Sequence, residues 1–309
     1  MEVNKVYNED CLIGMKRLPD NSIDCCVTSP PYFGLRDYGC DGQIGLEKSP
    51  VEFIDRLAEV FAEVYRVLKP EGTLWLNIGD SYNGYKGNAN RKNAETMYAG
   101  HRHQPTRKPR FGLEDKRLKS KDLIGIPWMA AFALRDKVGF YLRQDIIWHK
   151  PNPMPEAVTD RCTKAHEYIF LLTKSARYYF DAEAIKEPAR KDNRPHMVHH
   201  HKIDGGTYRE KYNDYTIIPS EKRNKRDVWS VSTKPDHNAH FAVYPEELIR
   251  PCILAGCPKG GIVLDPFMGS GTTARVARTY NRNFIGYELN PEYIKIIQQK
   301  IIVAPDMFA

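Results

Sequence analysis

The run from Gly261 to Tyr280, centred on Val263-Leu264-Asp265-Pro266-Phe267-Met268-Gly269-Ser270-Gly271-Thr272-Thr273, constrains the fold more than any other part of the chain. Gly261 to Asp265 reads as a short apolar strand, Pro266 to Gly271 as a glycine-bearing loop and Thr272 to Tyr280 as a helix. Asn283 to Glu288 follows as a second strand and Pro291 to Ile302 as a closing helix. Strands separated by helices, with no hairpin turn between them, belong to a parallel sheet. A loop of this kind brings backbone amides and a helix N-terminus close to a ligand. No Lys follows the glycines, so it is not a phosphate-binding P-loop, and it lacks the third glycine of a dinucleotide fingerprint. A ligand with a carboxylate and an ammonium but no pyrophosphate suits it better, and Glu288 is placed to accept from ribose hydroxyls. A plain glycine-containing strand-to-helix turn has the same appearance.

The first 80 residues repeat the rhythm. Ser22 to Thr28 (SIDCCVT) is an apolar, β-compatible run ended by Pro30-Pro31. Phe53, Ile54, Leu57, Val60, Phe61, Val64, Tyr65 and Leu68 then recur at helical spacing, with Pro70 and Gly72 as the stop. Thr73 to Ile78 is the next strand, closed by Gly79-Asp80. Further on, the pattern predicts a helix through Trp128–Leu134, a strand at Leu142–Trp148, and a strand at Glu167–Thr173 paired with Arg177–Phe180. The Pro-rich run from His149 to Glu156 between them reads as rigid.

The 309 residues suffice for one large domain with insertions, and one domain spanning 1–309 is expected. No apolar run approaches a membrane span, and the opening MEVNKVYNED lacks the features of a signal peptide, so a cytoplasmic location is expected. The seven cysteines form no CxxC pair, which fits reduced, buried thiols better than zinc or disulfides. Net charge is +7 and unevenly placed: residues 83–121 carry +8 and residues 186–228 carry +4, leaving the remainder acidic. Two basic insertions on a neutral or acidic body suit a polyanion partner, though solvated basic loops have the same composition.

Thr28-Ser29-Pro30-Pro31-Tyr32 lies at the C-terminal end of a predicted parallel strand, where open α/β sheets place their chemistry. The prolines fix the backbone, so that the Ser29 hydroxyl and the Pro30 carbonyl can point together as two acceptors, with Tyr32 as a flat surface. Methylation of an exocyclic base amine needs such a device. The amine lone pair is delocalised into the ring, and two acceptors on its hydrogens favour the pyramidal geometry that frees it. An aromatic ring replaces the stacking lost when a base leaves the duplex. In isolation SPPY is equally compatible with a plain Pro-Pro turn.

Taken together these segments resemble the amino-methylating DNA methyltransferases, in the permuted group whose catalytic motif precedes the cofactor motif. TSPPY is similar to that family's catalytic motif, LDPFMGSGTT to its cofactor loop and FIGYELNPEY to the following strand and helix. NEDCLIGMKRLPDNSIDCCVTSPPY is similar to its opening, and His240 to Ile253 to the segment entering the cofactor loop. The resemblance implies a Rossmann-like S-adenosylmethionine-dependent methyltransferase fold, α/β with a mostly parallel sheet. It implies a base pocket of Ser29, Pro30 and Tyr32, with Pro31 holding the turn. Asp265, Phe267, Gly269, Gly271, Thr272 and Glu288 would bind S-adenosylmethionine, joined by Asp10 at the adenine ring and by Phe241. Ser at the first motif position is associated with cytosine N4 and Asp mainly with adenine N6. The implied reaction is therefore N4 methylation of a flipped-out cytosine in double-stranded DNA, with N6-adenine methylation as the alternative. The insertions 83–121 and 186–228 would read the duplex through Arg91, Arg102, Arg107 and Arg110. A homodimer and a separately acting restriction endonuclease are compatible with this reading.

Other chemistries fit less well. Cytosine C5 methylation needs a thiolate, and Cys252, in the single Pro-Cys pair, sits in an amphipathic run that suits core packing. His196, His199, His200 and His201 lie in a polar segment without ligand spacing. His149 and His166 are expected to support the substrate pocket, and Asp80 either lines the site or caps a helix. A non-catalytic DNA-binding protein would not need the paired acceptors of TSPPY. An RNA or protein N-methyltransferase can share the Pro-Pro-Tyr turn.

Overall fold

The computed structural model describes residues 2–35, 37, 39–83, 117–189, 196–198, 215–217, 221–233 and 244–302. They divide into two compact units, Met1–Asp181 with Asp227–Ala309, and Ala182–Arg226. The larger unit is built on an eight-stranded sheet of β1 (Lys5–Tyr7), β2 (Ile23–Thr28), β3 (Leu68–Ile78), β4 (Tyr141–His149), β5 (His166–Thr173), β6 (Val228–Ser230), β7 (Ile262–Asp265) and β8 (Asn283–Tyr287). Its order is β1-β8-β7-β2-β3-β5-β4-β6. All neighbours are parallel except β5, which runs antiparallel to both β3 and β4.

Strand alternation decides which helices each face receives. Cys26, Leu74, Leu76 and Leu264 join the core that buries α2 (Pro50–Val67) and α3 (Ile126–Ala133), beside α1 (Cys11–Met15). Cys25, Thr73 and Trp75 meet Gly256 of α4 (Glu246–Gly256) on the other face, where α5 (Thr272–Thr279) also packs. A side chain at Gly256 would strike the Trp75 indole at 2.4 Å, so helix and sheet approach closely only because it has none. The α2 stripe predicted from spacing is the buried one: Phe53, Leu57, Val60, Phe61 and Val64 are at most 1% exposed. Ser49 begins that helix by accepting from Glu52 N, with Pro50 in the first turn. A closing helix, α6 (Pro291–Ile302), follows β8.

Two local expectations change. The segment 177–180 is not a strand. β5 pairs instead with β3 and β4, while Tyr179 N donates to Glu71 O and the Phe180 ring stacks on Trp75. Helix α2 stops at Val67, before Pro70, because β3 already starts at Leu68. Pairing jumps from Ile23↔Leu68 to Cys25↔Thr73, so Pro70 and Gly72 occupy an irregular stretch of β3 that bulges from the ladder. A proline without an N–H is tolerated there.

The smaller unit holds two short antiparallel ladders, Glu187–Pro188 with Lys222–Arg223 and His196–Val198 with Tyr215–Ile217. Glu187 accepts from Arg223 and Arg226, at 2.9 and 2.7 Å. Among the described residues no helix is long and apolar enough to cross a membrane, and no His, Cys, Asp and Glu group has a metal-holding arrangement.

Candidate active site

An open cavity of about 280 Å³ lies at one edge of the sheet, and every strand delivers residues to it. Parallel strands present their C-terminal ends there: Glu9 and Asp10 after β1, Ser29 to Tyr32 after β2, Asn77 near the end of β3, Trp148 and Lys150 at the end of β4, Thr233 after β6, Pro266 to Ser270 after β7, and Glu288 after β8. Antiparallel β5 reaches the same edge with its beginning, at Glu167. The chemistry thus gathers where a parallel α/β sheet opens.

The two sequence motifs meet through one buried carboxylate. Thr28 and Asp265 are 237 residues apart in the chain, yet Thr28 Oγ1 donates to Asp265 Oδ1 at 2.6 Å. Phe267 N donates to the same oxygen at 3.0 Å, and Thr273 Oγ1 and Tyr244 OH donate to Oδ2 at 2.6 and 3.1 Å. Asp265 is fully buried and is not part of the cavity wall. It forms a junction that ties the Ser-Pro-Pro-Tyr turn to the glycine loop, at the strand end where the sequence places a cofactor contact. Burial raises its carboxyl above the ordinary value of 3.8, with the Thr273 and Thr28 hydroxyls leading the hydrogen bonds that oppose the rise.

Gly271 is required by the backbone and by packing at the start of α5. Its φ is +86°, at the N-cap of α5, and an added Cβ would lie 3.2 Å from Ile297 of α6. Gly269 does line the cavity, with φ +54°. Its N–H donates to Glu288 Oε2 at 2.8 Å, and Asn290 N donates to Glu288 Oε1 at 2.8 Å. Burial, opposed by these amides, lifts the Glu288 carboxyl to about 7. Asn8 Nδ2 donates to the carbonyls of Glu288 and Leu289, which fastens this corner to β1.

The other site expectations sort plainly. Ser29, Pro30, Pro31, Tyr32, Asp10, Phe267, Gly269, Thr272 and Glu288 all line the cavity. Asp10 also caps α1, its Oδ1 accepting from Leu12 N and Ile13 N. Phe241, Arg91, Arg102, Arg107 and Arg110 lie outside the described residues. Asp80 is off the cavity and accepts from Gly125 N and Ile126 N, so it caps α3. His149 and His166 face each other across β4 and β5 and do not line the cavity; Trp148, Lys150 and Glu167 do. Cys252 is buried in α4 and its thiol turns to Leu248 O, as core packing requires.

The cavity wall is largely apolar where Phe267, Ile44, Leu35 and Tyr293 contribute, and polar at Glu288. Ser270 adds a buried hydroxyl on this wall that has no hydrogen-bond partner among the described residues. Buried polar atoms without partners are rare, and one on a cavity wall suits a polar ligand. An apolar wall with the Glu288 carboxylate and the Ser270 hydroxyl on it suits a ligand with an apolar body and polar groups.

Comparisons with known proteins agree with this geometry. A family model described as DNA methylase, of the N6/N4 type, matches residues 23–299. The type II methyltransferase M.Cfr9I of Citrobacter freundii is 46% identical over 300 residues, covering 96% of this chain and 87% of the relative. The type II methyltransferase M.SmaI of Serratia marcescens is 44% identical over 298 residues, covering 96% and 90%. Among solved structures, the PvuII DNA methyltransferase (cytosine-N4-specific) superposes with a TM-score of 0.66 at 18% identity, over 100% of this chain and 89% of that one. A putative DNA modification methylase from Thermus thermophilus, complexed with S-adenosyl-L-methionine, superposes at 0.57 with 21% identity, over 96% and 92%.

Proposed function

This chain belongs to the N6/N4 DNA methylase family, and from that premise we propose that it methylates the N4 of cytosine in duplex DNA with S-adenosylmethionine as donor. Its fold is the Rossmann-like methyltransferase fold in permuted order, the catalytic turn preceding the cofactor loop. The observation that carries the reading is the shared cavity of Ser29 to Tyr32 with Pro266 to Ser270 and Thr272.

When bound, S-adenosylmethionine supplies an electrophilic methyl group. The residues that would hold it are Glu288 toward ribose hydroxyls, Asp10 toward the adenine, and Phe267, Gly269 and Thr272 along the loop. The Ser29 hydroxyl and the Pro30 carbonyl accept the two hydrogens of the target amine, which sharpens the nitrogen lone pair. Tyr32 receives the flipped base on its face. The proton leaves to water after transfer, so no strong base is required. A neutral Ser29 in the first motif position favours cytosine. Sequencing DNA from cells that express the chain tests both levels. N4-methylcytosine at one sequence motif is expected; N6-methyladenine there would overturn the choice of base, and unmodified DNA would overturn the activity.

Cofactor affinity should depend on pH through Glu288. With its carboxyl near 7, acidification protonates the acceptor that ribose hydroxyls require. Affinity measured by calorimetry should fall as pH drops from 8 to 6, by up to about tenfold per pH unit below the midpoint. Glu288→Gln should flatten that dependence. A wild-type profile already flat would remove Glu288 from the cofactor contacts.

DNA reading is assigned to the basic stretches 83–121 and 186–228, through arginines at 91, 102, 107 and 110. Arginine forks pair with guanine edges and with phosphates. Reversing these four charges should weaken DNA binding and lower its salt slope by roughly one unit for each phosphate no longer neutralised. Cofactor affinity should stay unchanged, and normal binding across a salt series would move recognition to another surface.

A further inference from the structure

The cavity carries a second polar assembly, which neither the catalytic turn nor the cofactor loop accounts for. Tyr32 OH donates to Glu167 Oε2 at 2.5 Å. The other carboxylate oxygen, Oε1, pairs with Lys150 Nζ. Asn77 Nδ2 donates to Glu167 Oε2 at 3.3 Å and to the Tyr168 carbonyl at 3.1 Å, so Asn77 ties the carboxylate to the backbone of β5. The Lys150 ammonium lies 4.3 Å from the Trp148 ring centre. All five side chains line the cavity, and those of Lys150 and Glu167 are only 19% and 15% exposed. A cation and two donors thus occupy both oxygens of this enclosed carboxylate, which fixes its position. Behind the assembly, Gly79 gives up its side chain to the tyrosine: a Cβ there would sit 2.5 Å from Tyr32 Cε2.

We propose that Glu167, locked by Lys150 and Asn77, is a positioning residue that clamps the Tyr32 hydroxyl and holds the ring ready for the target base. The inference rests on the methyltransfer reading, in which Tyr32 is the base platform. A tyrosine fixed at its hydroxyl and along its ring edge loses its rotamer freedom before the base arrives, so binding no longer has to impose that order. The catalytic turn benefits directly, because Tyr32 follows Pro31 and a tilt of the ring shifts the base against the Ser29 and Pro30 acceptors. Glu167 acts through Tyr32: one carboxylate oxygen accepts the tyrosine hydroxyl and the Asn77 amide, and the other pairs with Lys150.

The test is a kinetic double-mutant cycle on the full chain, using a duplex that carries the motif found by sequencing. Tyr32→Phe and Glu167→Ala should each lower kcat/KM for DNA by about 10- to 100-fold, as expected for a misplaced reactant. The double variant should be no worse than the poorer single one, because both changes break the same bond. Glu167→Gln keeps an oxygen that can accept the hydroxyl and should recover most of the activity. Cofactor affinity and thermal midpoint of Tyr32→Phe should match wild type. Additive effects would show that Glu167 or Lys150 meets the base independently of Tyr32 and would overturn the proposal. So would wild-type rates in Glu167→Ala, or a glutamine variant as poor as alanine. If Glu167→Ala fails to fold, Tyr32→Phe and Glu167→Gln still decide, since a clamp demands a large drop in the first and a small one in the second. An inactive wild-type chain would bring down the methyltransfer reading and this inference with it, whereas an active one with additive effects sinks the clamp alone.

Discussion

Asp265→Ala is expected to destabilise the protein by about 3 kcal/mol and to weaken cofactor binding as a consequence. The substitution leaves the Thr28 and Thr273 hydroxyls, the Phe267 amide and the Tyr244 hydroxyl without their shared acceptor in a site water does not reach. Tyr244 and Thr273 can still bond to each other, whereas the Phe267 amide loses the Asp265 acceptor. The loop from Pro266 to Ser270 would lose this anchor at its start and keep those of Met268 N to Tyr287 O and Gly269 N to Glu288. Chemical denaturation and calorimetry on one preparation separate the causes. A ligand-binding role alone would give unchanged stability with reduced affinity; a junction reduces both, with Thr28→Val reproducing part of the effect.

The same residue predicts a pH signature. Burial raises its folded-state carboxyl above 3.8, so between that value and the raised one the folded protein holds a proton that the unfolded chain has released. The contribution of Asp265 to stability therefore falls as pH rises through this window. Asp265→Asn cannot titrate, and its stability curve should lack the slope. Parallel curves for the two proteins would show that the carboxyl titrates alike in both states.

What the sequence disclosed and what it withheld follow from the range of the interactions involved. The cavity loop was legible because strand, glycines and helix lie within 20 consecutive residues, and TSPPY only through its combination with that loop, since alone it reads equally as a plain turn. The helical stripe from Phe53 to Val64 was legible for the same reason: one face, one period. The burial of Asp265 was not legible, because a carboxylate at a strand end has the same sequence signature whether it faces a ligand or the interior. Only the crossing of β2 beside β7 decides that. The Tyr32, Asn77, Lys150 and Glu167 assembly has no local signature at all, since β2, β3, β4 and β5 each bring one member. Nearness in sequence suggests a hairpin of 167–173 with 177–180, but β3 and β4 offer β5 longer ladders. Parity along β4 would have warned that Trp148 and Lys150 point one way and His149 the other. The edge strands β1 and β6 span three residues each and carry too little pattern to be seen.

Ser29→Ala is expected to lower turnover by about 100- to 1,000-fold while leaving cofactor affinity and folding intact, the range seen when one preorganised hydrogen-bonding group is taken from a reacting centre. The physical reason lies in the amine. Its lone pair attacks only after leaving the plane of the ring, and the gain from two acceptors is realised as that pyramidal geometry forms, so the effect falls on kcat more than on KM. Ser29 stands at the cavity wall one residue beyond the buried Thr28, whose bond to Asp265 holds the turn in place whichever side chain follows. Fold and cofactor loop are thereby insulated from the substitution, which makes the kinetic effect interpretable. Ser29→Asp supplies a carboxylate acceptor and should keep more activity than alanine. Single-turnover kinetics with saturating cofactor measure the step directly. A Ser29→Ala enzyme that methylates at the wild-type rate would reduce Ser29 to a turn residue and leave the Pro30 carbonyl as the remaining acceptor for the amine.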